Sequence, residues 1–202
     1  MIIRLRAAST MVILVFFLVA GCTGEIQGVP EPDPGTLVSS TVSGPSNSSH
    51  MSPPITAKKL ELSSVEQKPC GLIPDSFMRT YGPVVPGQIY PSAEGAFCKY
   101  KAGTNIDYPF ITVGLNTKSG GLKGLYERRS NFSVFEPGTL RGYPSLRTLD
   151  GTDPGICSIG VGVNDTEVLS VYVDITSGRP NYDNPCVVTL PILTEALQRA
   201  GG

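Results

Sequence analysis

Five cysteines, one histidine and two aspartates three positions apart hold most of the chemistry open to this 202-residue chain. Asp150 and Asp153 lie in Leu149-Asp150-Gly151-Thr152-Asp153-Pro154-Gly155. A pair of carboxylates can act as acid and base, or acid and nucleophile, on a glycosidic bond. The surrounding glycines and proline favour the plainer reading, a loop in which Asp side chains cap turn backbone. A calcium loop needs more oxygen ligands at regular spacing than this segment offers. His50 is the only histidine and sits in a Ser-rich stretch, which excludes Ser-His-Asp and Cys-His mechanisms in practice. No G-x-S-x-G, H-E-x-x-H or G-x-x-x-x-G-K-[ST] motif occurs. Gly120-Gly121-Leu122-Lys123 reads as a helix start in preference to an anion cradle, and Arg128-Arg129 as a solvated helix face. No catalytic residue, metal ligand or cofactor is assigned. The expectation is a protein that is not an enzyme.

Cys22 points to a different chemistry. Residues 1–22 read MIIRLRAASTMVILVFFLVAGC, with Arg4 and Arg6 before an apolar run from Met11 to Ala20. That run is short for a transmembrane helix, which needs about 20 apolar residues. Charge, short apolar core and small residues are the layout of a cleaved export signal over 1–21. Leu18-Val19-Ala20-Gly21-Cys22 resembles the bacterial lipobox, which implies a diacylglycerol on the Cys22 thiol and cleavage after Gly21. Two or three acyl chains, such as palmitate, at about 0.8 kcal/mol per buried CH₂ hold a protein stably on a membrane. The expected location is the outer face of the cell membrane, with the lipid on Cys22 as the membrane partner. Loss of Arg4 and Arg6 leaves 14 basic against 17 acidic residues, which argues against a nucleic-acid partner.

Beyond the anchor, 21 of the 35 residues from Thr23 to Ala57 are Ser, Thr, Gly or Pro. The reading over 22–65 is a disordered tether, with a reach of roughly 35 Å for some 40 residues. Thirteen of the fifteen aromatics fall between Phe77 and Tyr182, so 66–202 is expected to be one folded domain. Helices are expected over Leu72–Tyr81, over Gly120–Asn131 and from Cys186 onward. In the last, Asn184 would be N-cap, and Cys186, Leu190, Leu193 and Leu197 would form one face. Pro191 should kink it. Strands are expected at Ala96–Lys101, Pro109–Leu115, Thr139–Tyr143, Ser145–Leu149, Cys157–Val163 and Val168–Ile175. Leu169, Val171 and Val173 alternate with Ser170, Tyr172 and Asp174, the pattern of a strand with one wet face. The fold class is α+β: a mainly antiparallel sheet packed by two or three helices.

Cys70, Cys98, Cys157 and Cys186 are an even set in an exported domain, which favours two disulfides over thiols or metal. Three connectivities are possible. The sequence-local pairs Cys70–Cys98 and Cys157–Cys186 are preferred, each tying a helix to a strand.

The chain resembles the actinobacterial lipoproteins of the domain of unknown function 3558 family over about Lys68 to Ala200. Its marks are Pro69-Cys70-Gly71-Leu72-Ile73-Pro74, Phe97-Cys98-Lys99-Tyr100, Gly155-Ile156-Cys157-Ser158-Ile159-Gly160-Val161 and Asp183-Asn184-Pro185-Cys186. Tyr100 stands where the family commonly has Trp. The resemblance implies an envelope address and no assigned activity. The leading expectation is therefore a non-catalytic envelope module that binds a ligand or a protein partner. A small carboxylate-based hydrolase of cell-wall polymers is the alternative. A pure spacer is a third possibility, and a cleft of about 300 Å³ or more would count against it.

Overall fold

The computed structural model describes residues 51–83, 86–101 and 107–202. The export signal, Cys22, His50 and most of the expected tether lie outside the described residues. Seven strands form one antiparallel sheet in the order β1-β2-β3-β7-β6-β5-β4. They run Gln88–Ser92 (β1), Gly95–Tyr100 (β2), Phe110–Asn116 (β3), Val134–Leu140 (β4), Tyr143–Leu149 (β5), Ile156–Gly162 (β6) and Val168–Asp174 (β7). The helices are Ser63–Gln67 (α1), Asp75–Met78 (α2), Gly121–Glu127 (α3) and Cys186–Arg199 (α4). This is the α+β architecture expected.

Period-two alternation sorts each central strand into a dry face and a wet one. Ile111, Val113 and Leu115 of β3 face the same side as Val173, Val171 and Leu169 of β7, their register partners. α4 covers that side with Val188, Ile192, Leu193, Ala196 and Leu197, all buried. Leu190 does not share this face; it is 43 % exposed, as Val187 is 46 %. Leu193 and Leu197 of the expected face are buried and Cys186 packs partly buried on the core, so only Leu190 departs from it, and Pro191, on the exposed side, lies within one helix. The helix begins at Cys186 with Pro185, not Asn184, as N-cap.

The packed chain begins before residue 66. Leu60, Leu62 and Val65 are buried in the main core, and Ile55 and Ala57 pack against it. Leu60 N–H donates to Val163 O at 3.1 Å, Asn164 Nδ2 donates to Leu60 O at 2.9 Å, and Tyr143 OH donates to Lys58 O at 2.6 Å. The expected 22–65 tether is thus too long at its C-terminal end. Its last residues alternate Lys59, Leu60, Glu61 and Leu62, and the two leucines are drawn under the sheet.

Other boundaries shift for local reasons. The expected helix over Leu72–Tyr81 is two short turns, α2 and a 3₁₀ turn at Arg79–Tyr81, with a further 3₁₀ turn before them at Pro69–Gly71. Pro74 stands outside α2 with extended ψ of 145°, so the helix starts at Asp75. β4 and β5 meet at Arg141-Gly142, and Pro144, expected to separate two strands, lies within β5 opposite Thr139. β5 pairs with β6 only from Ser145 onward, so the missing N–H at Pro144 removes no bond from that ladder. The edge strands carry Pro91 and Pro137, which limit what their outer rims can donate. β1 is an addition to the expected set; all five of its residues are exposed, so it carries no hydrophobic alternation.

Both preferred disulfides are present. Cys70 joins Cys98 of β2, and Cys157 of β6 joins Cys186 at the start of α4. One staple fixes the N-terminal turns to the sheet and the other fixes the terminal helix. Among the described residues, the second sheet face is covered at one end, where Leu122 and Tyr126 of α3 pack on Leu146 and Val168.

Candidate functional site

A cleft of about 610 Å³ opens at the end of the sheet where β3 begins and β7 finishes. Its walls come from three separated segments. The 3₁₀ turn brings Tyr81, Gly82 and Pro83; the lead into β3 brings Tyr108; the segments after β7 bring Ile175 and Pro180. Val188 of α4 closes the inner side, and Arg79 and Asn181 supply polar groups. This size, with a mostly apolar lining and few polar groups, is that of a small-ligand site.

Backbone choices at two positions make room for it. Gly82 has φ of +137°, and a Cβ there would stand 2.2 Å from Cδ1 of Tyr108. The glycine lets the Tyr108 ring lie directly on the turn. Asn181 holds φ of +67°, a conformation that Asn tolerates better than most residues. Across the mouth, Arg179 pairs with Asp107 at 2.5 Å, tying the segment after β7 to the lead into β3. Tyr81 packs on Phe77 with ring centroids 5.9 Å apart. Burial pushes the Tyr81 phenol above its ordinary pKa, and a hydrogen bond with Thr80 opposes that shift.

The aspartate loop is built as a turn. Asp153 Oδ1 accepts from Gly155 N–H at 2.8 Å, and Ile156 N–H donates to Asp153 O at 3.3 Å. Asp153 also contacts the Tyr182 hydroxyl, and burial followed by the Asp153 charge raises the Tyr182 pKa. Asp174, at the end of β7, is the carboxylate that local sequence did not mark. Burial, then the neighbouring Asp153 charge, raises its pKa, while a hydrogen bond with Tyr172 lowers it. Asp150, Asp153 and Asp174 all act on Tyr172, so the sheet brings three carboxylates toward one end of its wet face. Among the described residues, no group of three or more His, Cys, Asp or Glu is placed to hold a metal ion.

Gly120 and Gly121 both adopt left-handed φ, at +75° and +68°. A Cβ on Gly121 would stand 2.3 Å from Asp165 O, so this glycine serves close packing of α3 on the β6–β7 loop. The Arg129 guanidinium lies over the Phe135 ring, 5.1 Å from its centroid. Among the tyrosines, Tyr126 and Tyr143 are core, Tyr90 is exposed on β1, and only Tyr81 and Tyr108 line the cleft.

All four quoted cysteine segments now have places: two on the N-terminal staple, two on the staple that holds α4. The family described as a protein of unknown function (DUF3558) matches residues 17–199. The chain belongs to the DUF3558 family. That match spans the whole sheet and all of α4, so cleft and staples both lie within the DUF3558 region. No curated protein matches the chain, and no solved structure does.

Proposed function

We propose that this DUF3558 protein is an exported lipoprotein, held on the outer face of the cell membrane by lipid on Cys22. Its domain binds an envelope ligand without catalysis. The Tyr81–Tyr108 cleft carries the binding part of this reading: about 610 Å³, mostly apolar, framed by an ion pair and backed by α4. A pure spacer has no use for such a cavity. Tyr81 and Tyr108, with Pro83 and Pro180, favour a ligand that offers an apolar face, such as an envelope lipid or an apolar peptide segment. The lipobox-like Leu18-Val19-Ala20-Gly21-Cys22 supports the anchor.

Two measurements test the two parts. Metabolic palmitate labelling should mark the wild-type chain and not Cys22→Ser; an unlabelled wild type would remove the membrane assignment. Titration with envelope lipids and apolar peptides should reveal binding that Tyr108→Ala weakens. Binding untouched by that change would place the ligand elsewhere.

The alternative is a carboxylate-based hydrolase, favoured by one observation, the raised pKa of Asp174 beside Asp153. Against it, Asp153 is already engaged with Gly155 N–H. Turnover of a wall polymer that Asp150→Asn or Asp153→Asn abolishes would establish the hydrolase and overturn the binding module.

A further inference from the structure

The wet face of the sheet holds a second concavity, of about 460 Å³, distinct from the tyrosine cleft. Register places its floor. Thr148 pairs with Ser158, Ser158 with Tyr172, and Gly160 with Ser170, so these side chains share the face opposite the core. α3 and the turn after it raise one wall through Leu125, Arg128, Asn131 and Phe132, while Glu94 and Asn116 stand at another edge.

The floor is short and polar, and its hydrogen-bonding capacity is unspent. The hydroxyls of Thr148, Ser158 and Ser170 and the Asn131 amide make no side-chain hydrogen bond with another described residue. Asn116, only 8 % exposed, is fixed in orientation: its Oδ1 accepts from Lys118 and Ser119 N–H, and its Nδ2 turns to Glu94 at 3.4 Å. Hydroxyls that both donate and accept, together with amides that do each at separate atoms, match the hydroxyls of a sugar. Phe132 and the Tyr172 ring add apolar surface for the carbon face of a pyranose. Charge separates this ligand from the other polymers an envelope offers. The lining holds one cation, Arg128, against two acids, Glu94 and Asp150, so the concavity has no cationic surplus with which to hold a phosphate polymer. Its floor is too polar for an acyl chain.

We infer that this concavity is a glycan-binding site that takes a neutral oligosaccharide segment across β5, β6 and β7. Binding here needs neither the tyrosine cleft nor the lipid on Cys22, and no bond is cleaved.

The test is an amide-shift titration of the full ¹⁵N-labelled chain with a chito-oligosaccharide, a cello-oligosaccharide and inorganic phosphate. One or both sugars should shift the amides of Ser158, Gly160 and Ser170, and phosphate should leave them in place. Ser170→Leu and Asn131→Ala should each weaken sugar binding by about tenfold, the scale of one lost hydrogen bond in a desolvated site. Tyr108→Ala should bind sugar as the parent does, which separates this site from the tyrosine cleft. The inference is overturned if neither sugar moves those amides, if phosphate moves them instead, or if the variants bind as the parent. Should Ser170→Leu fail to fold, Asn131→Ala, on the exposed wall, decides the matter alone.

Discussion

The phenol of Tyr100 donates a 3.1 Å hydrogen bond to the carbonyl of Ile73, inside the core and two residues from the Cys70–Cys98 staple. Tyr100 is 2 % exposed and Ile73 1 %, so neither group has water as an alternative partner. Tyr100→Phe should leave the carbonyl unpaired and cost about 1–3 kcal/mol. Urea unfolding should show a lower midpoint with an unchanged slope. Burial, and then the Asp75 carboxylate, push the Tyr100 pKa from 10.0 up to about 12. The folded chain therefore keeps this proton over a range in which the unfolded chain has released it. Stability from this group is whole below about pH 10 and is lost as pH rises toward about 12. Tyr100→Phe should flatten that alkaline fall.

Gly82 decides whether the tyrosine cleft exists. With φ of +137° and a would-be Cβ 2.2 Å from the Tyr108 ring, Gly82→Ala meets both backbone strain and a clash. The expected cost is about 1–3 kcal/mol, together with displacement of Tyr108. Tyrosine fluorescence, undisturbed by Trp in a chain that has none, should report the altered ring environment. A variant with parental stability and spectrum would show that Tyr108 does not rest on this turn.

Asp174 bears a charge that folding opposes. Its raised pKa means the folded chain binds its proton more tightly than the unfolded one. The associated stability is present below about pH 3.8 and is lost as pH rises through the higher folded value. Asp174→Asn should therefore leave acid stability unchanged and raise the urea midpoint at neutral pH, with Asn still able to bond Tyr172. A neutral-pH loss of stability would mean that the charge of Asp174 is used favourably.

How much of this was legible in the sequence depended on how local each signal is. β7 follows from the alternation of Leu169, Val171 and Val173 against Ser170, Tyr172 and Asp174, because a period of two is written in adjacent residues, and β3 from a short, mostly apolar run. The staples were legible from cysteine parity and spacing. The α4 face was legible at Leu193 and Leu197 but not at Leu190: apolar residues at Val187, Val188 and Leu190 offer competing positions, and the sheet buries Val188 while Val187 and Leu190 stay exposed. Composition hid the packed stretch before 66, since two leucines count for little among Ser, Lys and Glu. Neither cleft was visible. The first gathers Tyr81, Tyr108 and Ile175, and the second gathers Asn131, Thr148 and Ser170, which only the completed sheet brings together.

The Cys157–Cys186 staple holds the start of α4 on β6 across a separation of 29 residues. Closing a loop of that size is worth about 3–4 kcal/mol in the chain-entropy model. Cys157→Ala with Cys186→Ala should lower unfolding stability by up to that amount. A non-reduced peptide map of the parent should recover Cys70 with Cys98 and Cys157 with Cys186; a Cys70–Cys186 peptide would contradict the fold itself.

The boundary of the domain is open to the same kind of measurement. Leu60 is 4 % exposed and Leu62 3 %, and Leu60 bonds through its backbone to Val163 and Asn164. Leu60→Ala should cost about 2–5 kcal/mol, as expected for a buried leucine in a packed core. A fragment of residues 66–202 loses Leu60, Leu62 and Val65 together and uncovers the apolar surface beneath them. It should unfold at a markedly lower urea concentration than a fragment of residues 51–202, or fail to fold. Lys59→Ala disrupts only the exposed pair with Asp165 and should change stability by less than about 1 kcal/mol. Equal midpoints for the two fragments would return the stretch before 66 to the tether. Unequal midpoints, with Leu60→Ala near the shorter fragment and Lys59→Ala near the longer, would assign the difference to the buried leucines.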